Sequence, residues 1–125
     1  MKAMRVWSDE GGATAVELAL TLPFFLILLF GAVECGLLLW SQVSLQHGVE
    51  MAARCAVIDT STCSSVSTTQ SYAAAEAFGL DPPSSTFTVS TPSCGEEVAA
   101  SYTFQFLTQY FIGPITLTAS SCFPK

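Results

Sequence analysis

A long apolar run near the N-terminus constrains this chain of 125 residues more than any other feature. From Ala13 to Trp40 almost every side chain is apolar, and only Glu17 and Glu34 are ionisable. About 20 such residues suffice to cross the hydrocarbon core of a bilayer as a helix. The run therefore predicts one membrane-spanning helix, and it raises the question of why carboxylates lie within it.

The twelve residues before this run form a short segment of mixed charge that ends in two glycines, so we interpret residues 1–12 as a leader. An ordinary signal peptide has an apolar core of 7–15 residues, and the run here is longer. A lipoprotein signal needs a small residue before the modified cysteine, whereas Glu34 precedes Cys35. The third alternative is an uncleaved or differently cleaved anchor, and the residues fit that alternative best.

Charge predicts the orientation of the anchor and excludes one class of partner. Lys2 and Arg5 precede the apolar run, which favours a cytoplasmic N-terminus and places the bulk of the chain on the other side. The net charge is −6, and the four basic residues form no patch that could neutralise a phosphate backbone. Nucleic acid is therefore not expected as a partner.

Five cysteines support an oxidising location for the C-terminal part. Cys35 lies within the apolar run, and four more follow it, which indicates two disulfides. Four cysteines allow three connectivities. We favour Cys55–Cys63, because these residues bracket the expected end of the long helix. We also favour Cys94–Cys122, because an antiparallel hairpin would bring these two together.

Helical patterns continue beyond Trp40. Polar and apolar residues interleave over residues 41–58 without a proline, so the long helix is expected to leave the membrane and continue there. Pro23 is expected to kink it early. Ser67 and Gln70 suggest a capping box that opens a short helix over Tyr72 to Phe78, with Gly79 at its C-terminal end.

From Ser85 onward the apolar period becomes two, which predicts three strands with one apolar face each. The turn between the last two strands is expected near Gly113-Pro114. The expected fold class is α+β: a long N-terminal helix, a short helix and a three-stranded antiparallel sheet. The aromatic residues in and after the second strand are expected to lie in the hydrophobic core rather than on a binding surface. They are Tyr102, Phe104, Phe106, Tyr110 and Phe111.

One stretch of the sequence resembles a known family. Gly12 followed by small and apolar residues, with Glu17 in the fifth position after it, is similar to the cleavage site of type IV pilin precursors. The similarity continues through Leu22-Pro23, then through Gly31 to Gly36, and then through Ala52-Ala53-Arg54. Over residues 11–57 the chain resembles the TadE family, minor pilin-like proteins of the tight-adherence (Flp) pilus machinery.

This resemblance implies a domain organisation and a set of partners. The leader 1–12 would be cut between Gly12 and Ala13 by a prepilin peptidase. Residues 13–40 would span the inner membrane, 41–58 would continue the helix, and 59–125 would form an extracytoplasmic head. The implied partners are other minor pilins, the major pilin and the pilus assembly platform.

The same resemblance gives the two carboxylates a role in assembly. It implies that Glu17 pairs with the new amine at Ala13, its own or a neighbour's. The alternative for Glu17 is a helix-end residue that reaches lipid headgroups. Glu34 would contact a partner helix or, alternatively, reach the interface.

No catalytic constellation is visible, so no enzyme activity, cofactor or metal is expected. His47 is the only histidine, and no Ser-His-Asp pattern or phosphate-binding loop is present. Cys35 is expected to be a small apolar helix residue. The alternative function is a single-pass anchored envelope protein that binds through its sheet and is not processed as a pilin. A membrane-tethered thiol oxidoreductase is a third hypothesis, although no Cys-x-x-Cys motif supports it.

Overall fold

The protein is represented by a computed structural model that describes residues 10–107 and 113–125. The α+β fold predicted from the sequence is confirmed. The elements are α1 (Glu10–Ile58), α2 (Val66–Glu76), a short 3-10 helix (Ser84–Thr86), β1 (Phe87–Ser90), β2 (Glu96–Phe104) and β3 (Ile115–Phe123).

The chain forms two compact units, Met1–Cys35 and Gly36–Lys125, which we call the N-terminal unit and the C-terminal unit. α1 contributes to both units. It begins at Glu10, so the last residues of the expected leader are helical, and it continues through Pro23 without a break in the helix. The predicted kink at Pro23 stays a prediction, and residues 1–9 of the expected leader lie outside the described residues.

The C-terminal unit is built on a sheet in the order β1-β2-β3, with both neighbouring pairs antiparallel. One face of the sheet packs on α1 and α2, as its alternating pattern predicted. Phe87, Leu45 and Val49 are the largest side chains that are fully buried there. The rest of the buried cluster is Ala52, Ala53, Ala73, Ala77, Val98, Ala100, Leu117 and Ala119.

Small residues allow α1 and α2 to pack closely. A Cβ atom added at Gly48 would lie 2.7 Å from the carbonyl oxygen of Ala73 and 3.3 Å from the Cβ of Ala77. Because real Cβ atoms essentially never approach a backbone oxygen so closely, only glycine fits this position in α1. In the sequence Gly48 is visible only as a weak point of the helix, costing about 1 kcal/mol relative to alanine.

The start of α2 corrects one sequence prediction. The N-cap is Ser65, whose hydroxyl accepts from the Thr68 amide at 3.3 Å, while the Thr68 hydroxyl accepts from the Ser65 amide at 2.9 Å. The expected box of Ser67 and Gln70 was wrong. The Gln70 side chain instead donates to the carbonyl of Phe87 at 2.7 Å, so it ties α2 to β1.

Two disulfides link the C-terminal unit. Cys55 bonds to Cys63, joining the last turn of α1 to the connection before α2. Cys94 bonds to Cys122, joining the turn before β2 to the end of β3. This is the pairing favoured from the sequence. Cys35 is free and exposed.

The structure describes three of the five residues in the expected aromatic core, namely Tyr102, Phe104 and Phe106. Phe106 is buried, and its ring meets the ring of Phe104 edge to face at 5.2 Å. Tyr102 and Phe104 pack against the buried cluster. β3 begins at Ile115, directly after the expected turn residues Gly113-Pro114. The other two aromatic residues of the prediction, Tyr110 and Phe111, lie outside the described residues.

Candidate assembly helix and head surface

The first half of α1 is apolar and exposed on every side. From Gly12 to Val33 each described side chain is exposed. Soluble monomers rarely present a continuous apolar surface of this size, so it requires a lipid or protein environment. The large exposed side chains of this segment are Val16, Leu18, Leu20, Leu22, Phe24, Phe25, Leu26, Ile27, Leu28, Leu29, Phe30 and Val33.

Glu17 lies on this exposed surface. Its backbone carbonyl accepts a hydrogen bond from the Thr21 hydroxyl at 3.0 Å, and the same hydroxyl lies 3.3 Å from the Leu18 carbonyl. These contacts satisfy Thr21 within its own helix. The Glu17 carboxylate itself forms no hydrogen bond or ion pair with the described residues. A carboxylate in an apolar environment is costly unless it is paired, so this position is one that a partner would stabilise.

Glu34 differs from Glu17. Its side chain is buried, with 6% exposed, so it is not part of the open surface of α1. The sequence predicts an assembly role for both carboxylates, with Glu17 as the stronger candidate. The structure distinguishes their surroundings, while the role of Glu34 in assembly stays a prediction.

Polar contacts hold the second half of α1 against the rest of the C-terminal unit. The Gln42 amide donates to the carbonyl of Thr118 in β3 at 2.9 Å, and the Ser44 hydroxyl donates to the carbonyl of Phe78 at 3.0 Å. His47 Nδ1 lies 3.1 Å from the carbonyl of Glu76. Sequence reasoning missed these residues, because a polar side chain at helical spacing has the same pattern whether it faces solvent or a buried carbonyl.

His47 belongs to an aromatic cluster and has no metal-binding surroundings. Its ring meets the ring of Phe78 at 5.2 Å, and Phe78 meets Trp40 edge to face at 5.7 Å. Among the residues that the structure describes, no three histidine, cysteine or acidic side chains come together as metal ligands.

The end of the C-terminal unit around the Cys55–Cys63 disulfide is polar. The Asp59 carboxylate accepts from the side chains of Ser61 and Thr62 and from both of their amides. The hydrogen bond from the Ser61 side chain is the largest cause, followed by that from Thr62, and together they lower the pKa of Asp59 to about 2. Glu96 and Lys125 form an ion pair at 2.7 Å nearby.

An open groove and a flat sheet surface complete the head. The groove runs between the ends of the two helices and the sheet, and small polar residues such as Thr60, Ser64 and Thr91 line much of it. The outward face of the sheet carries mostly Thr, Ser and Ala side chains. In the groove the Thr91 hydroxyl donates to the Glu96 carboxylate at 3.4 Å, so this surface can offer hydroxyl and charged groups to a partner.

These features define a class of protein. α1 contains a segment, Gly12–Ile58, that is long and apolar enough to cross a membrane, and it continues into a small disulfide-linked α+β unit. This is the architecture of a candidate single-pass membrane-anchored protein.

Comparison with protein families agrees with the resemblance seen in the sequence. Residues 12–54 match the family model described as TadE-like protein. The family is associated with the tight-adherence pilus and is structural in character. The matched segment begins at the expected cleavage glycine and ends within α1, so it does not include the sheet. Neither the curated proteins nor the solved structures give a match.

Proposed function

We propose that this protein is a TadE-like minor pilin or pseudopilin that takes part in assembly of a tight-adherence (Flp, type IVb-like) pilus for surface adherence. One observation carries the proposal. Over Gly12–Val33, which lies within the family-matched segment, α1 is exposed on all sides and mostly apolar, and the Glu17 carboxylate on that surface has no partner among the described residues.

Glu17 acts in this proposal as an assembly residue. Cleavage after Gly12 by a prepilin peptidase creates an amine at Ala13, four residues before Glu17. Residues four apart lie on the same face of a helix, so the amine and the carboxylate share one face of α1. Pairing Glu17 with the amine of a neighbouring subunit offsets the cost of holding both charges in an apolar medium. Such a pair also fixes the stagger between packed helices.

The remaining parts follow from this arrangement. Residues 13–40 lie in the inner membrane, the N-terminus faces the cytoplasm, and the head 59–125 lies in the periplasm or outside the cell. The exposed helix packs against other minor pilins, the major pilin or the assembly platform. Glu34 is the second assembly residue of α1 in this proposal. The disulfide-linked head supplies further contacts, and no catalytic step is involved.

The test replaces Glu17 in the intact organism's own pilus system. Glu17→Gln keeps the size of the side chain and removes its charge, and we expect few or no pili by electron microscopy. Thr21→Val is the matched control one helical turn later, because the Thr21 hydroxyl bonds to carbonyls of its own helix and carries no charge. We expect this control to assemble pili normally, with both variants present at wild-type levels in membranes.

Normal piliation with Glu17→Gln would refute the assembly role of this carboxylate. An anchored protein that is not processed as a pilin predicts that result, together with an intact leader. The pair of variants therefore separates the proposal from its alternative.

A further inference from the structure

The two ends of the C-terminal unit differ in polarity. One end contains the residues through which α1 enters the unit, and it carries most of the large apolar side chains that the described part of this unit leaves exposed. These are Leu37, Leu39, Trp40, Val43, Phe78, Leu107 and Ile115. Ile58 and Val66 are the exposed large apolar residues at the opposite end. We call the first end the base.

The strand topology places Ile115 at the base. In β3, Thr118 accepts a hydrogen bond from Gln42, whereas Phe123 at the other end of the strand lies 6.0 Å from the Arg54 guanidinium. β3 therefore runs in the same direction as α1. Ile115 lies three residues before Thr118, or ~10 Å at the usual rise of a strand. That distance corresponds to about seven helical residues, so Ile115 lies near the level of Gly36.

The same register brings Leu107 to the base. Phe104 pairs with Ile115 at the end of β2, and Leu107 follows three residues later, with 78% of its side chain exposed. Its neighbour Phe106 is buried, so the chain turns one apolar side chain into the core and the next one outward. An outward leucine here makes no contribution to the core.

The connection after α2 supplies a third apolar contact at the base. Phe78 is 44% exposed, although its ring packs on Trp40 and its carbonyl accepts from Ser44. Gly79, with a φ of +75°, leaves room beside the Trp40 ring nitrogen, since a Cβ there would lie 3.1 Å from it. The aromatic pair is thus held in place while part of both rings remains uncovered.

We propose that the base of the C-terminal unit docks on the interfacial layer of the bilayer that α1 spans. Trp and other amphipathic rings favour the depth of the lipid headgroups, and Trp40 directly ends the apolar run of α1. Leu37, Leu39 and Trp40 belong both to the base and to the apolar run that spans the membrane in the proposed function, so lipid is the occupant that we expect here.

The opposite end of the C-terminal unit is too polar to dock on the membrane, so docking involves the base alone. This polar end carries the Asp59 turn and the Glu96–Lys125 ion pair, which are stable in water and costly to bury. The proposal rests on the membrane anchoring in the proposed function, and not on pilus assembly. The base is then a second contact with the membrane, in addition to the span of α1. This contact limits how far the head can tilt away from the bilayer.

Spin labels in the full chain test the docking. Single cysteines are introduced by Leu107→Cys at the base, by Val66→Cys at the opposite end and by Leu28→Cys within the span. Cys35→Ala removes the free thiol, and labelling is done without reductant so that both disulfides remain. The chain is placed in phosphatidylcholine vesicles, and the collision rates of each label with oxygen and with a water-soluble nickel complex are measured.

If the base docks, the label at position 107 should behave like the label at position 28. It should collide frequently with oxygen, and its collisions with the nickel complex should be several-fold rarer than those of the label at position 66. Val66 is a matched control, since it is also apolar and exposed but lies at the other end. Equal nickel access at Leu107 and Val66, with Leu28 protected, would overturn the docking and leave the anchor intact. Nickel access at Leu28 would overturn both. Protection of Leu107 from both reagents in native membranes only would assign the base to a protein partner and overturn the lipid assignment.

Discussion

The two halves of α1 make the most informative comparison in this molecule. Gly12–Val33 is exposed on every side, whereas Leu45 and Val49 of the same helix are completely buried against α2 and the sheet. The second half finds its apolar partners within the chain. The first half is more apolar than the second, yet the described residues leave it exposed, so a membrane or other subunits are needed to cover it. One continuous helix thus has two different sources of stabilisation.

Leucine truncation in the two halves should give the largest difference in the free energy of unfolding. Leu45→Ala removes a fully buried side chain, and we expect a loss of ~2–5 kcal/mol. Leu28→Ala removes one that is 74% exposed, and we expect no measurable change in the stability of the C-terminal unit. Denaturant unfolding of the detergent-solubilised chain, followed by near-ultraviolet circular dichroism, measures both. Equal losses would mean that the two halves are not distinguished by their packing.

The disulfides should contribute according to the loops that they close. Cys94–Cys122 spans 28 residues and Cys55–Cys63 spans 8. In the chain-entropy description, replacing both cysteines by serine costs ~3.6 kcal/mol for the longer loop and ~2.5 kcal/mol for the shorter one. Thermal unfolding of the two double-serine variants and the wild type gives the order. A larger loss from Cys55→Ser with Cys63→Ser would contradict the loop argument.

Glycine substitutions give a smaller contrast with opposite signs. Gly48→Ala places a methyl group 2.7 Å from the Ala73 carbonyl, and we expect a loss of ~1–3 kcal/mol as the helices separate. Gly36→Ala meets nothing within 4 Å, and we expect a gain of up to ~1 kcal/mol from helix propensity. Denaturant unfolding, as for the leucine variants, measures both changes. A neutral Gly48→Ala variant would show that α1 and α2 are not in such close contact.

The smallest expected effect is the acid response of the Asp59 turn. Since the folded pKa lies at about 2, below the ordinary value of 3.8, its contribution is present above 3.8 and is lost as the pH falls toward 2. Ser61→Ala should raise the Asp59 pKa most, because the Ser61 side chain is its main partner. Thr62→Ser, which keeps a hydroxyl, should change it little. Carbon-detected NMR titration reads the carboxyl directly, and an unshifted Asp59 pKa in the wild type would exclude these hydrogen bonds.

The sequence was sufficient for the architecture because its signals are periodic and strong. The apolar run, the alternation after Ser85 and the glycine after the short helix each have one good structural solution. The positions that it missed depend on distant parts of the chain. Gln70 is read as a capping residue from its spacing, but β1 offers it a carbonyl that local sequence does not reveal. Gly48 is understood only when Ala73 of another helix is in view.

The assembly residues were predictable to a different extent. Glu17 stands out in the sequence because an acidic residue in an apolar run is costly, and the structure leaves its carboxylate on the open surface. Glu34 has the same sequence signal, yet its side chain is buried. Composition reports that a charge is present, whereas its surroundings depend on the fold.

The mass of the protein extracted from its native membranes tests the central claim most directly. If the first half of α1 is a pilin-type assembly helix, cleavage precedes assembly. Intact-mass measurement, with fragmentation to read the N-terminal sequence, should give a chain that begins at Ala13 and retains both disulfides. A chain that retains residues 1–12, or begins at any residue other than Ala13, would contradict the assignment as a processed pilin.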